Sequence, residues 1–170
     1  PLYRTEALRA IIGRSCLDGH WLYPVLYGEP FLTKPPGHYA AIGACSLPFG
    51  GVSAASARLP SVLAATLAVV LMHGLFRRAL GERAGLLVAL LLPCSVLWLD
   101  KVPSAEIDMT LVGWVTAAVV LLHRALEADE SWRAGGVSPP SVLFWIGALL
   151  CVAGGTLTKW TAPAFFYLTA

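Results

Sequence analysis

Residues 59–76 read LPSVLAATLAVVLMHGLF, without one charged side chain. Three further stretches share that character: AGLLVALLLPCSVLWL at 84–99, MTLVGWVTAAVVLL at 109–122 and AGGVSPPSVLFWIGALLCVAGGTLT at 134–158. The remaining charges gather in the short gaps between them and in the first 58 residues. About 20 apolar residues in a helix cross a hydrocarbon core roughly 30 Å thick, so runs of this length and spacing predict membrane-spanning helices. The expected fold is an all-α integral membrane protein, a multi-pass transmembrane helix bundle. Its function must rest on the polar side chains it keeps at the membrane faces.

Composition points the same way. Hydrophobic residues make up 57% of the chain and charged residues 13%, too little polar surface to cover a water-soluble fold. A net charge of +2, scattered along the chain, lacks the concentrated basic patch of a nucleic-acid binder. Cys16, Cys45, Cys94 and Cys151 show neither CxxC nor metal-ligand spacing and read as small buried hydrophobes. His20, His38, His73 and His123 lack HxxxH or HxH spacing, so no metal site is expected from them. The glycine pairs at 50–51, 135–136 and 154–155 do not fit a phosphate-cradling loop; the last suits close helix packing.

Residues 1–58 differ from the rest and predict an extracytoplasmic cap of short interfacial helices. Leu8, Ile11, Ile12 and Cys16 recur at helical spacing among Arg4, Glu6, Arg9 and Arg14, the pattern of an amphipathic helix lying on a membrane. An aromatic stretch rich in Pro and Gly follows, from His20 to Pro36, where no long helix can form. A second short helix is expected over Gly37–Leu47, ended by Pro48 and Gly50-Gly51. The spans themselves are expected at about 59–77, with Pro60 in the first turn; 84–100, kinked at Pro93; 104–126, capped by Ser104; and 141–158. A fifth runs from 162 and is cut at 170. With Pro1 rather than Met at its start, the chain reads as an internal piece of a longer protein.

Counting passes puts residues 1–58, Asp100–Glu106 and Lys159 on one side of the membrane and Arg77–Arg83 and Arg124–Pro140 on the other. The second side's short loops hold Arg77, Arg78, Arg83, Arg124 and Arg133, against Lys101 and Lys159 on the first, so the second side is expected to be cytoplasmic. Lys34, Asp100, Lys101, Glu106, Asp108 and Lys159 then share the opposite face. Lys101 and Lys159 are open to a plain reading as lysines snorkelling to headgroups, and Asp100 and Glu106 as solvated turn residues. Asp108 is harder to dismiss, because a short carboxylate about a turn into an apolar helix cannot reach far and such groups usually face a working cavity. Nothing about helix stability calls for Lys34 between Thr33 and Pro35-Pro36.

These residues resemble a family. Gly28-Glu29-Pro30, Thr33-Lys34-Pro35-Pro36-Gly37 with Tyr39, Ala57-Arg58-Leu59-Pro60-Ser61, Ser104-Ala105 with Ile107-Asp108-Met109, and Leu157-Thr158-Lys159-Trp160 are together similar to the GT-C membrane glycosyltransferases. The closest group is glycosyltransferase family 39, which includes protein O-mannosyltransferases and the aminoarabinose transferase acting on lipid A. The resemblance covers nearly the whole chain, and the KPP…Y and ARLPS stretches are its most specific parts. It implies transfer of a sugar from a polyprenyl-phosphate donor to a lipid or protein acceptor on the extracytoplasmic face, such as the periplasmic side of a bacterial inner membrane. It names no fixed cofactor and leaves room for a divalent cation; membrane lipids are partners and nucleic acid is not.

Within the resemblance, Asp108 is the catalytic candidate, and Lys34, Lys159, Tyr39, Glu29 and Lys101 are the substrate-binding candidates. The lysines would grip the donor phosphate, while Asp108 would act on the acceptor, a cation or a neighbouring lysine. The family's leading catalytic carboxylate, usually in an Asp-Glu pair of the first external loop, would fall immediately before Pro1. The piece would then be inactive alone. Where the family carries Gly after the TK lysine, this chain has Trp160. Two other classes stay open at this point: a transporter using Asp108 as an ion or proton site, and a purely structural membrane subunit.

Overall fold

The computed structural model describes residues 2, 5–134 and 141–160, and only the backbone of Trp132. The expected fifth span at 162–170 and the 135–140 part of the loop before the fourth lie outside the described residues. In the cap, α1 (Thr5–Leu17) buries Ala10, Ile12, Gly13 and Cys16, while Leu8 and Ile11 are 36% and 44% exposed. Only half of the expected apolar stripe therefore faces inward. Small residues decide the buried side, because α1 crosses α2 (Gly37–Ser46) almost backbone to backbone. A Cβ on Gly13 would stand 2.6 Å from Ile42 Cγ2, and one on Gly43 2.7 Å from Cys16 Cβ.

Between the two helices, in the stretch whose prolines and glycines exclude a long helix, β1 (Val25–Leu26) and β2 (Glu29–Pro30) pair antiparallel in a small hairpin. Tyr27 and Gly28 at its tip have φ of 53° and 89°, the left-handed pair of a type I′ turn. After α2 a 3₁₀ turn, Leu47–Phe49, ends at Gly50 with φ of 65°.

The first long helix, α3 (Ala54–Leu80), starts earlier than its apolar run suggests. Ser53 and Ser56 form a reciprocal capping box, each side chain bonding the other's backbone N–H. Pro60 therefore lies inside the helix rather than in its first turn. The next apolar stretch is broken. α4 (Glu82–Leu91) gives way to a 3₁₀ turn at Leu92–Cys94, and α5 (Val96–Lys101) restarts with Ser95 as its cap. The kink expected at Pro93 is thus a full interruption, since Pro93 removes an N–H and Ser95 offers the next helix a cap. Ser104 does not cap α6 as expected; its hydroxyl bonds the Lys101 carbonyl at 2.9 Å, and α6 (Ile107–Arg133) begins three residues later. The last described helix is α7 (Ser141–Lys159).

Among the described residues α3, α6 and α7 are long and apolar enough to cross a membrane. α3 and α6 run parallel: Gly113 sits against Ala64 and Arg124 near Arg78. α7 returns antiparallel, with Trp145 bonding Asp129 at one end and Gly154 packed on Trp114 nearer the other. The apolar side chains these helices turn outward, such as Val70 and Leu150, suit a hydrocarbon surround rather than water. This alternation brings the starts of α3 and α6 and the end of α7 to one end of the bundle, where the cap lies.

Candidate active site

At that end Lys159 Nζ meets Asp108 Oδ1 at 2.8 Å, both side chains 43% exposed. The two candidates come from opposite ends of a helix hairpin, Asp108 as the second residue of α6 and Lys159 as the last of α7. Between α2, α3, α6 and α7, and reaching Thr110 and Thr158 close to the pair in sequence, is an apolar cavity of about 400 Å³. Its wall includes Gly37, Pro60, Thr110, Trp114, Gly154 and Thr158. Thr158 is buried, its hydroxyl satisfied by the Gly154 carbonyl at 2.9 Å. A charged pair thus stands beside a greasy pocket, the arrangement that an amphiphile with an anionic head fits.

Lys34 is exposed and makes no hydrogen bond or ion pair among the described residues. The rigid Pro35-Pro36 that follows leads into Gly37, and Gly37 presses on α7 so closely that a Cβ would lie 2.7 Å from the Leu157 carbonyl oxygen. The loop bearing Lys34 is therefore anchored against the turn of α7 that carries Lys159. His38, next in line, is completely buried and its Nδ1 pairs with Thr110 Oγ1 at 3.0 Å, joining α2 to α6. Burial lowers the His38 imidazole to about 4, and Arg9 adds to the effect against smaller opposing pulls from the Ala105 carbonyl, Glu106 and Asp108.

The other candidates scatter. Lys101 pairs with its neighbour Asp100 at 3.0 Å and lines a separate polar cleft of about 310 Å³ with Glu6, Arg58 and Glu106. Glu29 is exposed in the β2 strand. Tyr39, a substrate-binding candidate by resemblance, is 2% exposed in this structure, packed with Ile12 and Cys16 and edge-on to Phe31. The motif spacing that singled it out marks the cap's core.

A set of residues that reads in sequence as solvated charge surrounds the start of α6. Glu6 accepts hydrogen bonds from Arg58 Nε and Nη2, each at 2.9 Å, and from the Ala105 N–H at 2.8 Å. Arg9 bonds Glu106 at 2.9 Å, Thr5 Oγ1 at 2.8 Å and the Ala105 carbonyl at 3.3 Å. Glu106 is thus no free turn residue. Only the placement of Arg58 in the ARLPS stretch hinted at this in the sequence. Among the described residues no three His, Cys, Asp or Glu side chains stand together as metal ligands. At the end of α7, Trp160 has φ of 52°, a left-handed backbone that glycine adopts without strain. The glycine that the resemblance places there is thereby explained, and Trp160 holds the same turn at some cost.

Residues 33–170 match the model of a family described as dolichyl-phosphate-mannose-protein mannosyltransferase. No curated protein and no solved structure matches the chain. The matched region takes in Lys34, Asp108, Lys159 and all three long apolar helices. Spanning most of its length, the match makes this chain an integral membrane glycosyltransferase of the GT-C type, a member of the dolichyl-phosphate-mannose-protein mannosyltransferase family.

Proposed function

We propose that the protein transfers a sugar from a polyprenyl-phosphate donor to a lipid or protein acceptor, on the extracytoplasmic side of a bacterial inner membrane. The observation that carries this reading is the half-exposed Asp108–Lys159 pair, within two residues of Thr110 and Thr158 in the wall of the apolar cavity. A polyprenyl phosphate has the matching halves, an anionic head for Lys159 and an apolar chain whose first part enters the cavity. Breaking the bond between the anomeric carbon and the phosphate oxygen leaves its charge on the lipid phosphate. Fixed cations in a site of low dielectric stabilise that charge best. Lys159 is one such cation, and Lys34, brought in on the rigid proline turn, is the second. In this reading the two lysines serve as electrostatic partners of the phosphate rather than proton acceptors.

Asp108 orients Lys159 until the phosphate competes for it. Once the lysine shifts to the phosphate, the carboxylate is free to accept a proton from, or align, the acceptor's hydroxyl or amine. This reading supplies the positive charge from lysines. A divalent cation, if the reaction uses one, has Asp108 as its nearest ligand candidate. The transporter alternative draws no support from the geometry, since Asp108 is committed to Lys159 rather than open to an exchanging ion.

The test is binding of a polyprenyl phosphate to the full-length protein in lipid nanodiscs. Lys159→Ala should weaken it about tenfold or more, the scale of a charge-assisted contact. Equal affinity for the wild type and the variant would sink the donor assignment.

A further inference from the structure

We propose that Glu6 and Arg9 of α1 are positioning residues for Asp108, acting through the backbone of Ala105. The inference rests on the reading of Asp108 and Lys159 as the working pair, but not on which sugar or acceptor they serve.

Ala105 is completely buried, and its two peptide groups are held from one helix: Glu6 takes the N–H at 2.8 Å and Arg9 donates to the carbonyl at 3.3 Å. The following residue is fixed as firmly. The Glu106 carboxylate meets Arg9 at 2.9 Å and accepts the Thr5 hydroxyl at 3.1 Å, while its carbonyl accepts Ser61 Oγ of α3 at 3.1 Å. Glu6 is in turn held by Arg58 of α3. Side-chain exposure is 5% for Glu6 and 12% for Arg9, so these ions are largely out of water.

The start of a helix is where its backbone is least constrained, because the first N–H groups lack partners in the helix. Ser104 does not serve as a cap here, and the clamp on Ala105 and Glu106 fixes the backbone immediately ahead of the helix instead. Asp108 follows at once. A slip of α6 by one residue would carry its carboxylate about 1.5 Å along the axis and roughly 100° around it, out of reach of Lys159. Buried ion pairs contribute little net stability compared with apolar packing, and their best-attested use is to fix register. This network fits that use, since it gathers α1, α3 and the start of α6 at one peptide.

The experiment is trace labelling of the full-length protein in nanodiscs with an amine-reactive reagent at a fixed pH. Mass spectrometry reads the labelling of Lys159 relative to exposed Lys34. An amine held by a carboxylate reacts more slowly than a released one, and Asp108→Asn supplies the released value. Glu6→Gln and Arg9→Met should each raise the ratio toward it, by about threefold, the scale of a half-exposed ion pair. Arg9→Lys should fall between, and neither Glu6→Gln nor Arg9→Met should add to the ratio in the Asp108→Asn background. A ratio unchanged from wild type in both variants, or an equal rise on top of Asp108→Asn, overturns the proposal. Should Glu6→Gln fail to fold, Thr5→Val removes only an exposed hydroxyl between Arg9 and Glu106, and it must raise the ratio in the same direction. The labelling does not depend on turnover. If Lys159→Ala left polyprenyl-phosphate binding intact while the ratio still answered to Glu6→Gln, the donor assignment would fall and the clamp would stand.

Discussion

Gly37 carries more of the site than its missing side chain suggests. It lets the proline turn bearing Lys34 lie directly on the backbone of α7, within the same turn as Lys159. Gly37→Ala puts a methyl 2.7 Å from a carbonyl oxygen that belongs to a helix and cannot move aside alone. We expect a loss of about 1–3 kcal/mol, as for overpacking in a tight interior, read as a lower unfolding temperature of the protein in detergent. The Asp108–Lys159 pair should behave differently. Both side chains are 43% exposed, so Asp108→Asn should cost less than about 1 kcal/mol of stability while the transfer rate falls by at least about tenfold. Measuring turnover and unfolding on the same samples checks this, and a rate that falls only in step with stability would refute it. These two residues were legible in the sequence because each breaks an apolar run and pass-counting put both on one face. That they touch was not legible, since 51 residues separate them and only the packing of α6 on α7 closes the gap.

At the scale of elements, small and hydroxylated residues set what the apolar pattern left open. The run beginning at Leu59 marks a span, but its true start is the Ser53–Ser56 box, hidden because Ala54, Ala55 and Ala57 carry no strong signal. Ser53→Ala should remove that cap for about 1 kcal/mol, visible as a lower unfolding temperature with the site chemistry unchanged. The same blindness explains α1. Its apolar residues fit a membrane-facing stripe, yet Gly13, and Gly43 opposite it, draw the helix onto α2 and leave Leu8 and Ile11 outside. Glu6, Arg9, Arg58 and Glu106 each read as solvent-facing charge. Apart from the Arg9–Thr5 bond, their partners are 45 to 101 residues away in sequence, and no local periodicity encodes such distances. Long apolar runs, by contrast, report on the surrounding lipid directly and need no partner to be recognised.

Across the whole molecule, His38 joins the cap to the bundle through Thr110 and confers a dependence on acidity. The folded protein keeps this imidazole neutral down to about pH 4, whereas the unfolded chain takes up a proton near the ordinary value of 6.5. The unfolded state therefore binds the proton first as pH falls. Stability drops between about 6.5 and 4, with a total loss on the order of 3 kcal/mol. Acid unfolding curves should show that slope in the wild type and a shallower one in His38→Asn; parallel slopes would contradict the assignment. Orientation belongs to this scale as well. The arginines of the short loops, Arg77, Arg78, Arg83, Arg124 and Arg133, fall on the side opposite Asp108 by pass-counting, so a thiol reagent added outside intact cells should reach a cysteine placed at Ser53 and not one at Gly81.

The ion pair at the far end of the α6–α7 hairpin also has a history in time. The chain leaves the ribosome from its N-terminus, and Asp108 enters the bilayer region 51 residues before Lys159 exists to meet it. At about 5–20 residues per second, that interval is roughly 3–10 seconds. For those seconds a carboxylate must stay wet at the rim of an inserting helix. The protein's biogenesis thus contains a waiting step that ends only when the last turn of α7 has been made.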